Sequence, residues 1–285
     1  MGLRRHSLDR PEYYLLNPEH ELAESAVFLG LAGLGFSGVE YPDACQLLGR
    51  KPSNGTLTNF AWPNTAASGW NWVPELGRWG VACDGNNDEI TFGDVLNLAG
   101  VVSLACWVYP RALTGDQKYF GRTVSSFTAP YIQYSLGLNN GGLRLDYWDG
   151  AANRFIAQSA VTLTQDKWNH ICGVITPGSQ RLYVNGTLSN SATNANAVAA
   201  STASTMQFRM GRYLNTLNYV NAIVGDVVVA QDAWSVSQIQ QLADPSNTML
   251  AGLLLPPRRR VFAVGGGAPP APTGNPWYAY AQMGV

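Results

Sequence analysis

Along residues 167–191 apolar and polar positions alternate with a period of two. Leu182 and Val184 alternate with Arg181, Tyr183 and Asn185, and Trp168, Ile171 and Val174 belong to the run before them. That is the pattern of strands with one face toward a core. Asn185-Gly186 separates the last two runs, and both residues tolerate φ > 0, which a type I′ hairpin demands. The same reading covers the rest of the second half. VACDGNNDEITF (81–92) gives a strand, a polar turn and a strand. SLACWVYP (103–110) is a buried strand stopped by proline. YIQYSLGL (131–138) precedes a hairpin over 143–158 around Asp149-Gly150, and MQFRMGR (206–212) and IVGDVVVAQ (223–231) complete the set. Roughly ten strands at about 8–15-residue spacing predict two stacked antiparallel sheets. One helix follows: Ser235 and Gln238 form a capping box, Ile239 and Leu242 its apolar face, and Asp244-Pro245 ends it.

On either side the alternation fails. Residues 1–24 form an arm, with Asn17-Pro18-Glu19 as a helix start and a short helix expected over 18–24. Residues 25–80 are rich in turn formers and hold Trp62, Trp70, Trp72 and Trp79. Tryptophans this dense plug a core edge or form a sugar platform. After residue 245 come an apolar run (249–255), Pro256-Pro257, Arg258-Arg259-Arg260, a Gly/Pro-rich stretch and an aromatic end, Trp277-Tyr278-Ala279-Tyr280. Such a tail buries no core of its own. The expected organisation is an arm (1–24), a sandwich (25–245) and a tail (246–285).

Composition narrows the picture. A chain of 285 residues buries an ample core without disulfides or metals. Charged residues make up 13%, about half the usual share. The surface is therefore covered by Asn, Ser, Thr, Gln and Gly, or hidden by neighbours. A net charge of −1 implies no general polyanion binding, so no specific nucleic acid is expected. Cys45, Cys83, Cys106 and Cys172 form no CxxC pair, and Cys106 and Cys172 fall in apolar runs as buried small hydrophobes. The N-terminal arginines have no apolar stretch behind them, and the run 26–39 is broken by Gly30, Gly33, Gly35 and Gly38. Synthesis in a cytosol and no membrane partner are the expectations.

Taken in order, CDGNNDEITF, SLACWVYP, KWNHICGVI with LYVNGTL, FRMGR and IVGDVVVAQDAWSVSQIQQL resemble the laminin-G-like, concanavalin-A-like jelly rolls of bacteria and tailed phages, over residues 25–245. The resemblance implies an all-β, two-sheet antiparallel jelly-roll sandwich carrying an N-terminal arm and a C-terminal tail. It also implies a structural calcium ion between the Asp-Gly turn and the final strand, with Asp84 and Asp226 at the matching positions. The chain departs from the family at Gly225, where an aspartate is usual, and at Ala222, Trp234 and Gln238. Asp-Pro followed by Pro-Pro-Arg-Arg-Arg is similar to proteins encoded beside phage structural genes.

Asp84, Asn86, Asn87, Asp88 and Asp226 offer the oxygen ligands a hard cation prefers. The competing reading is an Asx turn in which Asp84 bonds its own backbone. Tyr147, Trp148, Tyr213 and Tyr219 are candidates for stacking against a glycan, and strand aromatics also serve as core. Retaining glycosidases need two carboxyl groups about 5–5.5 Å apart. Here Asp88 and Glu89 are adjacent and point to opposite faces. His170, beside Trp168, reads as a half-buried structural residue. No enzyme activity is expected.

The functional expectation is a phage virion protein, a capsid decoration or cement protein fastened by extensions that order on contact. Arg4, Arg5, Arg258, Arg259, Arg260, Trp277 and Tyr280 are the expected anchors on the major capsid protein and on copies of itself, in a particle assembled in the host cytoplasm. The alternative is a carbohydrate-binding module, secreted or at a bacterial surface, or a tail-fibre component that recognises host glycans.

Overall fold

The computed structural model describes residues 15–16, 26–30, 45–46, 54–61, 65–76, 78–124, 131–150, 154–194, 196–201, 205–213, 218–246 and 254–255. The strands are β1 (Leu15–Leu16), β2 (Ala26–Gly30), β3 (Cys45–Gln46), β4 (Asn54–Thr58), β5 (Gly69–Val73), β6 (Arg78–Asp84), β7 (Glu89–Thr91), β8 (Val102–Pro110) and β9 (Asp116–Thr123). They continue as β10 (Ile132–Asn139), β11 (Gly142–Trp148), β12 (Arg154–Thr162), β13 (Asn169–Thr176), β14 (Ser179–Val184), β15 (Thr187–Thr193), β16 (Gln207–Met210), β17 (Asn221–Ala230) and β18 (Leu254–Leu255). The single described helix is α1 (Val236–Leu242).

Two antiparallel sheets make the sandwich. One runs β12-β11-β10-β9-β16-β7-β4-β3. The other runs β15-β14-β13-β8-β17-β6-β5, with β2 also paired to β17. Their inner faces meet over one core. Val102, Leu104, Cys106 and Val108 of β8 and Ile171 and Ile175 of β13 come from one side, and Leu136, Leu138, Leu143, Leu145 and Phe208 from the other. The jelly-roll expectation holds. Cys83, Cys106 and Cys172 are buried free thiols, and burial pushes each thiol well above its ordinary value.

Local signals set the hairpins. Asn185 and Gly186 take φ values of 50° and 76°, the left-handed pair expected between β14 and β15. Asn140 and Gly141 do the same between β10 and β11. The capping box of α1 forms in both directions, with Ile239 and Leu242 buried. The helix lies beside the β14–β15 turn: a Cβ on Gly186 would come within 3.3 Å of the Gln240 side chain.

Strand β17 organises the second sheet. Asn221–Val224 pair with β6, and Val227–Ala230 pair with β2. Between these stretches the register to β8 shifts from Gly225 to Val228. Asp226 sits in that bulge at φ 46°, a conformation a short polar side chain tolerates better than a branched one.

Outside both sheets, β1 pairs with β18, Leu15 opposite Leu255 and Leu16 opposite Leu254. At these residues the arm meets the tail of the same chain. The expected helix over 18–24, Trp62, and the anchors Arg4, Arg5, Arg258, Arg259, Arg260, Trp277 and Tyr280 lie outside the described residues. Among the described residues no helix is long and apolar enough to cross a membrane.

Candidate binding cleft

Three connections converge at one end of the sandwich. The β6–β7 turn brings Asp84, Gly85 and Asn86; the β8–β9 connection and the start of β9 bring Thr114, Asp116 and Gln117; the approach to β17 brings Asn218, Tyr219 and Asn221. Together they line a cleft of about 260 Å³. The sheet registers place them. Asp84 at the end of β6 is opposite Asn221 at the start of β17. The Asn221 backbone N–H donates to Gln117 Oε1 at 2.9 Å, and its carbonyl accepts from the N–H groups of Arg111 and Ala112. These bonds tie two walls of the cleft together.

Asp84 folds its own turn. Its Oδ1 accepts the Asn86 N–H at 2.8 Å and the Asn87 N–H at 3.3 Å, and its Oδ2 accepts the Asn86 side-chain amide at 3.2 Å. Burial pushes the carboxyl up, but the hydrogen bonds donated to it outweigh burial and hold it below the ordinary carboxylate range. Asp88 closes the turn, its Oδ2 accepting the Asp84 N–H at 3.0 Å. Gly85 adopts φ 82°, and a Cβ there would sit 2.9 Å from Cβ of Asn221. Gly85→Ala is expected to cost about 1–2 kcal/mol from the left-handed backbone alone. Thermal denaturation checks this, and an unchanged melting temperature would contradict it.

Behind the cleft lies a charged network on the outer face of β9–β12. Lys118 contacts Asp116 at 2.6 Å and Asp146 at 2.8 Å, and Asp146 also binds Arg144 at 3.0 Å and Arg154 at 2.8 Å. Lys118 and Asp146 are fully buried. Burial pushes the Asp146 carboxyl up, and the cations Lys118, Arg144 and Arg154 outweigh it and hold it below its ordinary value. Small residues keep this face close-packed: a Cβ on Gly137 would lie 2.1 Å from the Gln117 carbonyl. The network fixes Asp116, whose carboxylate faces both the cleft and the buried cations.

Several sequence-derived candidates fall elsewhere. The structure does not bring Asp84 and Asp226 together. Asp226 lies five residues along β17 from Asn221, the partner of Asp84, roughly 16 Å at the usual strand rise. It is buried in the bulge, whereas Asp84 stands in an Asx turn at the end of β6. The two aspartates therefore do not fit one calcium site. Among the described residues no group of three His, Cys, Asp or Glu side chains is placed to hold a metal. The four aromatics also divide. Tyr147 is fully buried, stacked on Phe155 at 4.9 Å, its hydroxyl donating to the Asn196 carbonyl. Tyr213 is buried over the Lys118 ammonium. Neither offers a ring face to a ligand. Trp148 is half-buried on the outer sheet face, away from the cleft lining. Tyr219 alone lines the cleft, with the Arg212 guanidinium 5.5 Å from its ring centre. His170 is buried rather than half-buried, edge-on to Trp107 at 5.3 Å. Glu89 is paired with Arg209 and Arg212. Of the loop tryptophans, Trp70 is buried and Trp72 is 52% exposed on β5.

Sequence reasoning missed Asn218, Asn221, Asp116 and Gln117 as site residues. The one signal available was polar crowding beside Tyr219 in NTLNYVNA (215–222).

Two stacked antiparallel sheets in this strand order define a concanavalin-A-like jelly roll. The model of the concanavalin A-like lectin/glucanases superfamily, in its laminin-G form, matches residues 84–240, and the chain belongs to this family. Among curated proteins no sequence matches the chain. Solved structures share the fold at low identity. Domain 4 of an extracellular arabinanase from Geobacillus stearothermophilus, solved with arabinotriose, superposes with TM-score 0.54 at 17% identity, covering 77% of this chain and 100% of that domain. The binding domain of Paraclostridial Mosquitocidal Protein 1 gives 0.53 at 13% identity, covering 78% of this chain and 52% of that one. A structure of botulinum neurotoxin type C, described as entering cells through two ganglioside molecules, gives 0.51 at 11% identity and 78% of this chain, and this chain spans 51% of it.

Proposed function

We propose that this chain is a non-enzymatic carbohydrate-binding module and that the cleft between Asp84, Asp116 and Tyr219 holds the sugar. The observation that carries this is the uncommitted hydrogen-bonding capacity gathered there. Among the described residues, the side-chain amides of Asn218 and Asn221 and the Tyr219 hydroxyl make no hydrogen bond to protein, while all three residues line the cleft. A polyol needs this mixture of amide, carboxylate and aromatic groups. The arabinotriose-bound arabinanase domain and the ganglioside-linked toxin share the fold and support the reading by analogy. A glycan array probed with the full chain, followed by calorimetry on the best hit, tests it. Asn221→Ala and Tyr219→Ala are each expected to weaken that hit about tenfold, in line with truncation of a contact at a site's centre. Array hits that neither variant affects would place the site elsewhere.

One further observation favours a second, compatible reading. Leu15 and Leu16 pair with Leu255 and Leu254, so arm and tail meet at these residues outside the two sheets. This supports a virion protein whose extensions fasten it to the capsid, through Arg4, Arg5, Arg258–Arg260, Trp277 and Tyr280, while the sandwich presents its cleft to host glycans. Deleting residues 256–285 is expected to leave a folded sandwich that no longer joins particles. Normal incorporation of the truncated chain would contradict this role for the tail.

A further inference from the structure

We infer that the cleft selects neutral, polyhydroxylated sugars and turns away sugars that bear carboxylate or sulfate groups. This deepens the reading of the cleft as a sugar site and rests on it.

Among the described residues the cleft lining contains two carboxylates, Asp84 and Asp116, and no cationic side chain. The described cations around it are committed. Lys118 lies between Asp116 and Asp146, and Arg144 reaches Asp146 at 3.0 Å and Asp116 at 3.7 Å. Arg212 is paired with Glu89 at 2.7 Å, and Arg111 donates to the carbonyls of Ala66 and Ala67. Asp84 has no ion-pair partner among the described residues. Its turn directs the Asn86 and Asn87 N–H groups to Oδ1 and the Asn86 side-chain amide to Oδ2, and the Asp88 N–H also faces the carboxylate. An ionised carboxylate oxygen accepts more than one hydrogen bond, so Oδ2 keeps capacity for a donor. A sugar hydroxyl is such a donor, and the amides of Asn218 and Asn221 supply donors for its neighbouring oxygens. A carboxylated sugar would instead set a second anion a few ångströms from Asp84, with no free cation in the lining to offset it.

The test uses the full chain on an array of neutral oligosaccharides printed beside their sialylated, uronated and sulfated counterparts. Calorimetry then follows one matched pair, such as lactose and sialyllactose or whichever pair gives the strongest neutral signal. The acidic member is expected to bind at least about tenfold more weakly at low salt, with the gap narrowing as salt screens the repulsion. Asp84→Asn keeps the Oδ1 acceptor that folds the turn, and it should shrink the gap to about threefold or less. Asn218→Ala, which lies outside that turn, should weaken the neutral sugar and leave the ratio unchanged. Equal or tighter binding of acidic sugars, or a ratio unmoved by Asp84→Asn, would overturn this inference and leave the binding-module reading standing. Absence of binding to every glycan, neutral or acidic, would overturn both.

Discussion

Asp146→Ala is expected to destabilise the domain by about 3–5 kcal/mol, the cost of breaking a buried ion pair from one side. The carboxylate it removes is fully buried and is the shared partner of Lys118, Arg144 and Arg154. Lys118 would keep Asp116, but Arg154 would lose its carboxylate, and Arg144 would keep only the longer contact to Asp116. Urea denaturation measures the loss. If the network is worth its charges and not merely its shape, Asp146→Leu combined with Lys118→Met should recover part of it, because replacing a buried pair by apolar groups is often close to neutral. The pH dependence has a definite sign. The folded-state value of Asp146 lies below its ordinary one, so its stabilisation is fully present above about pH 4, the unfolded value, and is lost as pH falls through the depressed folded value. In Asp146→Ala this part of the acid sensitivity should disappear. A variant as stable as the parent at neutral pH would show that the outer face of β9–β12 does not depend on the network.

Trp234→Ala carries the other large effect, about 3–5 kcal/mol as for other buried Trp and Phe truncations. Trp234 is among the largest fully buried side chains and sits in the link between β17 and α1. It lies over the outer face of the second sheet, where its backbone N–H donates to Ser103 Oγ and the same hydroxyl donates to the Asp232 carbonyl. Ser103 thus pins the start of the helix connection while the indole fills the space beneath it. Trp234→Leu should cost less than the alanine change because it leaves a smaller cavity. Thermal denaturation of the two variants checks the order. Equal losses would mean that the indole fills no specific space.

The elements that the sequence disclosed are those with local causes. Asn185-Gly186 and the Ser235–Gln238 box each act within four residues, and each appears in the structure as the chemistry requires. Strand β9, DQKYFGRT, was not legible, because burial of both its faces depends on Lys118 and Arg122 finding partners far along the chain. Strand β5 hid among turn formers for a similar reason: its pairing with β6 is the only evidence for it. Tyr147 shows a signal that was present but outweighed by residue type. It shares parity with Leu143 and Leu145 on β11, so alternation assigns it to the core, and the outward parity belongs to Arg144, Asp146 and Trp148. The cleft had no local signature, since its walls come from positions 84–86, 112–117 and 218–221, which are joined only through long-range pairing of β17 with β6 and β8 and the bonds of Asn221. The Asp84–Asp226 pairing failed because the β6–β17 register sets Asp84 opposite Asn221, five residues along β17 from Asp226.

The cleft is the proposed sugar site. An amide chemical-shift titration of the full chain with the best array glycan tests it most directly. The expected result is saturable shifts clustered at Gly85, Asn86, Gly115, Tyr219 and Asn221, with the outer face of β9–β12 silent. Shifts of equal size on that outer face, or saturation with those five amides unmoved, would contradict it.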